Sequence, residues 1–118
     1  MTEFFKAVVD ADDAPIVICD VNHIIVYMNL TAIKRYAKRG GEKLIGQSIF
    51  DCHNAHSKEI ILSVFEKFQN DPSLNKVYTY TKNWGGEDSD VYIVALRDNT
   101  GTLIGYYEKH ESRLHEKA

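Results

Sequence analysis

Three side chains able to ligate a metal or act as nucleophile or base fall within five residues of one another: Cys52, His53 and His56. They stand directly before the most regular amphipathic stretch of the chain. There Ile60, Ile61, Val64, Phe65 and Phe68 form one stripe, and Lys58, Glu59, Ser63, Glu66 and Lys67 cover the other side. Either Asn54 or Ser57 is suited to cap that helix. The partial positive charge at a helix N-terminus favours a Cys52 thiolate and a neutral imidazole, the form that binds iron. Two histidines without a third ligand make a poor zinc site, whereas a porphyrin iron needs only one or two protein ligands. Haem is therefore the favoured cofactor, with His53 as axial ligand and His56 or a water opposite. The plainer alternative is that Cys52 packs as a small apolar side chain and His53 bonds a neighbouring loop.

Other chemistry finds little footing. There is no GxSxG, no HExxH and no phosphate-cradling glycine loop, so the chain is not expected to be an enzyme. Tyr27, Tyr78, Tyr80, Trp84, Tyr92, Tyr106 and Tyr107 are many aromatics for this length. Tyr27 and Tyr92 are candidates to line a site for a flat guest, although tyrosines also simply suit half-buried strands. His23, His110 and His115 fall in a turn or a polar tail and are expected to be solvated and without a role.

These residues need elements to position them. Phe4, Phe5, Val8 and Val9 share one face of a short helix over residues 2–10, broken by Asp12-Asp13-Ala14-Pro15. The β-branched runs 16–19 and 24–28, joined by Asp20-Val21-Asn22-His23, read as a hairpin. Asn29 is placed to cap a helix from about Leu30 to Lys38, ended by Gly40-Gly41. A single turn over residues 42–45 and the long helix follow. Three strands close the chain, at 77–81, 91–96 and 103–107, with Gly101 in the last turn. Strands separated from a helical block in this order suggest an α+β fold with an antiparallel sheet and helices on one face.

The chain has 118 residues, 44% of them hydrophobic and 26% charged, with a formal net charge of −3. That is one ordinary domain able to bury a core without disulfides or a structural metal. No basic stripe suggests nucleic acid, and no apolar run suggests a membrane span. The two cysteines, Cys19 and Cys52, lack CxxC spacing, so a reducing cytoplasm is the expected location. The expected division is a helical dimerisation cap at 1–13, a domain at 14–110 and a polar tail at 111–118.

Three segments in order resemble PAS domains. Ala14-Pro15-Ile16-Val17-Ile18-Cys19-Asp20 through Ile24-Ile25-Val26-Tyr27-Met28-Asn29 is similar to the family's opening hairpin. Leu44-Ile45-Gly46-Gln47-Ser48 resembles its L-I-G-x-S before the long helix. Residues 97–105, Arg-Asp-Asn-Thr-Gly-Thr-Leu-Ile-Gly, resemble its last turn. The resemblance covers about residues 14–108 and implies a five-stranded antiparallel sheet curved around a pocket. A narrower likeness joins Cys52, His53 and Ser57 to the C-H-P-P-x-S stretch of PAS modules from Gram-positive and anaerobic bacteria, although Asn54 and Ala55 replace the two prolines.

What the resemblance implies is a sensory module, and Met1 with the natural-looking tail favours a free-standing one over one excised from a larger protein. It would hold a small molecule or cofactor between the long helix and the sheet, with Cys52-His53 at the pocket mouth, and signal to a partner protein. Haem-type oxygen sensors of the family carry their proximal histidine inside the long helix, and residues 58–68 contain none. Light-sensing members form a flavin adduct through a cysteine three residues after the glycine matching Gly46. Here that residue is Ile49, so non-covalent flavin is a second choice behind haem. A homodimer through Phe4, Phe5, Val8 and Val9 is expected, with the N-terminal helix packed across the sheet's outer face and against its copy. The competing reading is a ligand-free PAS interaction module that works by dimerisation alone.

Overall fold

The computed structural model describes residues 1–115. The elements are α1 (Thr2–Asp10), β1 (Val17–Asp20), β2 (Ile25–Met28), α2 (Leu30–Arg35), three short 3-10 turns, α3 (Ala55–Asn70), β3 (Lys76–Trp84), β4 (Glu87–Arg97) and β5 (Leu103–Ser112). The strands form one five-stranded sheet in the order β2-β1-β5-β4-β3, every neighbour antiparallel. The expected α+β architecture is therefore present.

The hairpin of β1 and β2 turns where the sequence indicates. The Asp20 carboxylate accepts from the backbone N–H groups of Asn22 and Ile24 at 2.8 and 3.1 Å. His23 takes the left-handed conformation at φ 65° that closes the turn. β1 reaches the centre of the sheet beside β5, where Asp20 faces Gly105. A side chain at Gly105 would overlap the Cys19 carbonyl oxygen, so only glycine lets these two strands meet.

Asn29 is fully buried and uses its whole amide. Its Oδ1 accepts from the N–H of Ile16 and of Ala32, each at 2.9 Å, the second bond being the α2 cap. Its Nδ2 donates to the carbonyls of Val9 and Ala14, each at 3.0 Å. One side chain thus joins α1, the approach to β1 and the start of α2.

α3 packs its Ile61, Val64, Phe65 and Phe68 face on the sheet. Its start is capped by Asn54, whose side chain accepts from Ser57 N at 2.8 Å. Its end is held by Arg97 of β4, which donates to the carbonyls of Phe68, Asp71 and Leu74 at 2.8–3.3 Å. Phe65 is central to the core and stacks edge-on to His23 and Tyr106, with ring centroids 4.8 and 5.8 Å apart.

Three expectations change. β5 runs to Ser112 rather than stopping at Tyr107, because the polar first half of β4 pairs with it: Asp90 faces Glu111 and Ser89 faces Ser112. The tail expected at 111–118 therefore begins inside a strand, and its residues 116–118 lie outside the described residues. α1 buries none of its residues, and Phe4, Phe5 and Val8 are each 65–73% exposed, so it does not lie across its own sheet as expected. Its C-terminal end alone is tied down, by Asn29 at Val9 and by the Tyr27 hydroxyl donating to Asp10 at 2.7 Å.

Candidate functional site

The register of the last three strands decides which side chains face the helices. Val91, Ile93 and Ala95 of β4 are buried on the inner face and stand opposite His110, Glu108 and Tyr106 of β5. Cross-strand partners share a face, so Tyr106, Glu108 and His110 point inward. On the other side of β4, the β3 ladder slips by one residue at Thr79. Before the slip Tyr78 faces Tyr92; after it Tyr80 faces Val91, Lys82 faces Ser89 and Trp84 faces Glu87. An extra residue in one strand exchanges its faces. Tyr78 is thereby left outside, and Tyr80, Lys82 and Trp84 are turned in. Thr79 holds the slip by donating its hydroxyl to the Val91 carbonyl at 2.8 Å.

Between this floor and the helices lies a cavity of about 490 Å3. Val17, Cys19, Ile25 and Met28 give it one apolar wall, and Leu44, Ile49 and Ile61 another. Arg35 and Lys82 stand beside Trp84 on the lining, Arg39 lies by Leu44 and His53, and Glu108 is the one carboxylate on the lining. Its size is ordinary for a site that encloses an organic molecule.

The polar end is built around Trp84. The Arg35 guanidinium carbon lies 4.2 Å from one of its ring centroids and the Lys82 ammonium 4.1 Å, which is cation–π distance. The indole Nε1 is buried and has no hydrogen-bond partner among the described residues, and the same is true of His110 Nδ1. The other imidazole nitrogen, Nε2, lies 3.4 Å from the Glu108 carboxylate. Tyr80 also directs its hydroxyl at Glu108, 3.5 Å away. Burial, with the nearby Glu108 charge second, pushes the Tyr80 phenol up to about 12. Tyr106 bonds His23 Nδ1 at 2.8 Å deeper in, and burial raises its phenol further still.

The residues singled out from the sequence are divided by the structure. His53 is half-buried on the cavity lining, and its Nδ1 is 2.8 Å from the Ile49 carbonyl. A carbonyl accepts only, so Nδ1 is the donor of this bond, and in the neutral ring Nε2 is left with its lone pair. The other side of His53 borders a shallow open depression with Arg39, Gln47 and Asp51, which puts it between the cavity and the surface. His56 is exposed on the first turn of α3 and off the lining. The side chain of Cys52 lies outside the described residues. Among the described residues no three His, Cys, Asp or Glu side chains gather as a metal site.

Tyr27 and Tyr92 do not reach the cavity. Tyr27 is taken up with Asp10 of α1, and Tyr92 sits on the outer face against Tyr78 and under Lys76. The tyrosines that do line it are Tyr36, Tyr80 and Tyr106. Of the histidines expected to be idle, only His115 is exposed. His23 is bonded and stacked in the core, and His110 is 9% exposed. His110 was legible in principle, because Tyr106, Glu108 and His110 continue the period of two past the end of the apolar run.

An antiparallel sheet with its helices on one face and a cavity between the two defines an α+β class to which solved structures can be compared. No protein-family model and no curated protein matches the sequence. Among solved structures, a C-terminal domain from Streptococcus mutans superposes with a TM-score of 0.75 at 19% identity, over 94% of this chain and 84% of that one. The PAS domain of a Colwellia psychrerythraea protein gives 0.66 at 18% identity, over 94% of each chain. The Aer2 receptor of Vibrio cholerae, described as a dual PAS-heme oxygen sensor, gives 0.54 at 16% identity, over 85% of this chain and 94% of that one. Within that class, this chain has the PAS fold.

Proposed function

We propose that this PAS domain is a sensory module whose cavity takes up a small organic molecule. The observation that carries the reading is a pair of buried, unpartnered nitrogens in residues that line the cavity, Trp84 Nε1 and His110 Nδ1. Stranding a buried polar atom costs about 1–3 kcal/mol, and native domains keep few of them. A guest that bonds both removes the cost. A module acting by dimerisation alone gives no reason for either. Mass spectrometry under denaturing conditions on freshly purified protein tests the proposal. A released small molecule in stoichiometric amount is expected; its absence, together with no ligand-induced rise in melting temperature across a library of organic molecules, would favour the ligand-free module.

Haem is the finer reading, and the proton arrangement of His53 favours it. A histidine that donates Nδ1–H to a carbonyl presents Nε2 in the orientation metal-ligating imidazoles use. His53 would supply the iron's protein ligand, the apolar walls would enclose the ring, and the bound group would supply affinity for a diatomic gas. His56, exposed and off the lining, would take no part in holding the group. Haemin titrated into wild type and His53→Ala decides it: a sharp spectrum lost only in the variant is expected. Equal, broad binding to both would return His53 to a loop-bonding role.

Assembly belongs to the same proposal. Phe4, Phe5 and Val8 are exposed on a nine-residue helix, and a helix that short is marginal in water without a partner surface. A second copy of the chain covers this face, and the pair passes the occupancy signal to a partner protein.

A further inference from the structure

Granting that the cavity takes up an organic guest, we infer that the guest is an amphipathic acid: an apolar body against the sheet and α3, and an anionic head between Trp84 and His110. Three independent features converge on this polarity.

The first is the donor set. Trp84 Nε1 can only donate, it is buried, and it has no partner among the described residues. The group that meets it is an acceptor. The second is charge. Arg35 and Lys82 flank the same indole at 4.2 and 4.1 Å. Among the described residues neither forms an ion pair. Their charges are held beside the unpartnered N–H with no carboxylate of the chain bonded to them. The third is His110. Its ring lies 6.5 Å from that of Trp84, and its buried Nδ1 also lacks a partner among the described residues. A polar head at this end therefore meets a second unsatisfied nitrogen beside the indole N–H. A neutral guest with the same body would gain nothing from the two cations, whose side chains are exposed to solvent.

The apolar lining receives the rest of the molecule. Val17, Ile25, Met28 and Ile61 offer no polar side-chain group, so a charged group set against them would be desolvated without compensation.

Two fluorescent probes with a common ring system test this: anilinonaphthalene sulfonate, which is anionic, and phenylnaphthylamine, which lacks the sulfonate. Each is titrated into wild type, Trp84→Phe and Arg35→Gln. Phe keeps a flat apolar ring and removes only the indole N–H. Wild type is expected to bind the sulfonate at least about tenfold more tightly than the amine, the worth of one hydrogen bond to a charged group. Each variant should lose about five- to tenfold of sulfonate affinity and keep its amine affinity, which also shows that it is folded. Equal binding of both probes to wild type would overturn the anionic head and leave the cavity reading standing. Tight sulfonate binding unchanged in both variants would place the anion elsewhere and overturn the assignment to Trp84. Binding of neither probe would overturn the cavity reading and this inference with it.

Discussion

Replacing Asn29 by alanine removes a buried amide that satisfies four backbone groups at once: the N–H of Ile16 and Ala32 and the C=O of Val9 and Ala14. At about 1 kcal/mol net per bond, the expected loss is about 4 kcal/mol. That is a large share of the roughly 5–15 kcal/mol of an ordinary domain. A urea titration followed by far-ultraviolet circular dichroism reads it directly. Asn29→Asp refines the argument. Aspartate keeps the acceptor for Ile16 and Ala32 but turns a second oxygen towards the two carbonyls, where only a protonated carboxyl can bond. The folded state therefore raises this carboxyl above its unfolded value of about 3.9. A group raised on folding contributes its stability below the unfolded pKa and loses it as pH rises through the folded one. The deficit of Asn29→Asp against wild type should thus widen from about pH 4 towards 7, while that of Asn29→Ala stays level. An alanine loss below about 1 kcal/mol, or a pH-independent aspartate deficit, would refute the reasoning.

Phe65→Ala should cost about 3–5 kcal/mol in the same titration, as for other buried aromatic truncations; a value under about 1 kcal/mol would mean that Phe65 is not core. Gly105→Ala must push β5 away from the Cys19 carbonyl and should cost about 3 kcal/mol or more, measured as a lowered midpoint at unchanged denaturant slope. If the proposed dimer forms through α1, Phe5→Glu combined with Val8→Glu should yield monomers by light scattering without lowering the melting temperature of the isolated domain; an unchanged mass would overturn that assignment. Burial lowers the His23 imidazole below its ordinary value, against a smaller raising effect of Asp20. A group lowered on folding contributes stability above its unfolded pKa and loses it as pH falls. Acidification from about pH 7 to below the folded pKa should therefore destabilise wild type more than His23→Asn, and parallel pH curves would contradict this.

The opening hairpin, the Asn29 cap and the α3 stripe were legible because each rests on local chemistry: turn residues, a short polar side chain at a helix start, a 3.6-residue period. The inner face of β3 was not. Alternation alone puts Tyr78 and Tyr80 on one face, and nothing in Val77-Tyr78-Thr79-Tyr80-Thr81 announces that Thr79 is the extra residue. That single slip carries Tyr80, Lys82 and Trp84 to the cavity. β5 was cut short for a related reason. Glu108 to Ser112 is polar and carries no strand pattern of its own, but its partner is the equally polar start of β4, and backbone pairing needs no apolar side chains. The sequence therefore points to Cys52, His53, His56, Tyr27 and Tyr92 and not to the Trp84–His110 end. Two further errors came from treating tyrosines as equivalent. Tyr92 lies between the buried Val91 and Ile93 and so faces outward, and Tyr27 is claimed by Asp10 across a contact no local pattern encodes.

Trp84 is the chain's single tryptophan, and its position gives the protein a built-in optical reporter. Its emission arises at one place, the tip of the β3–β4 hairpin, with a guanidinium and an ammonium against its ring. A guest that bonds Nε1 alters that emission without any label, so occupancy is readable in the unmodified chain. The same position sets a rule for unfolding experiments. Fluorescence follows the loosening of the hairpin tip and circular dichroism follows α3 and the sheet. The two curves coincide only if the cavity end and the Phe65 core give way together.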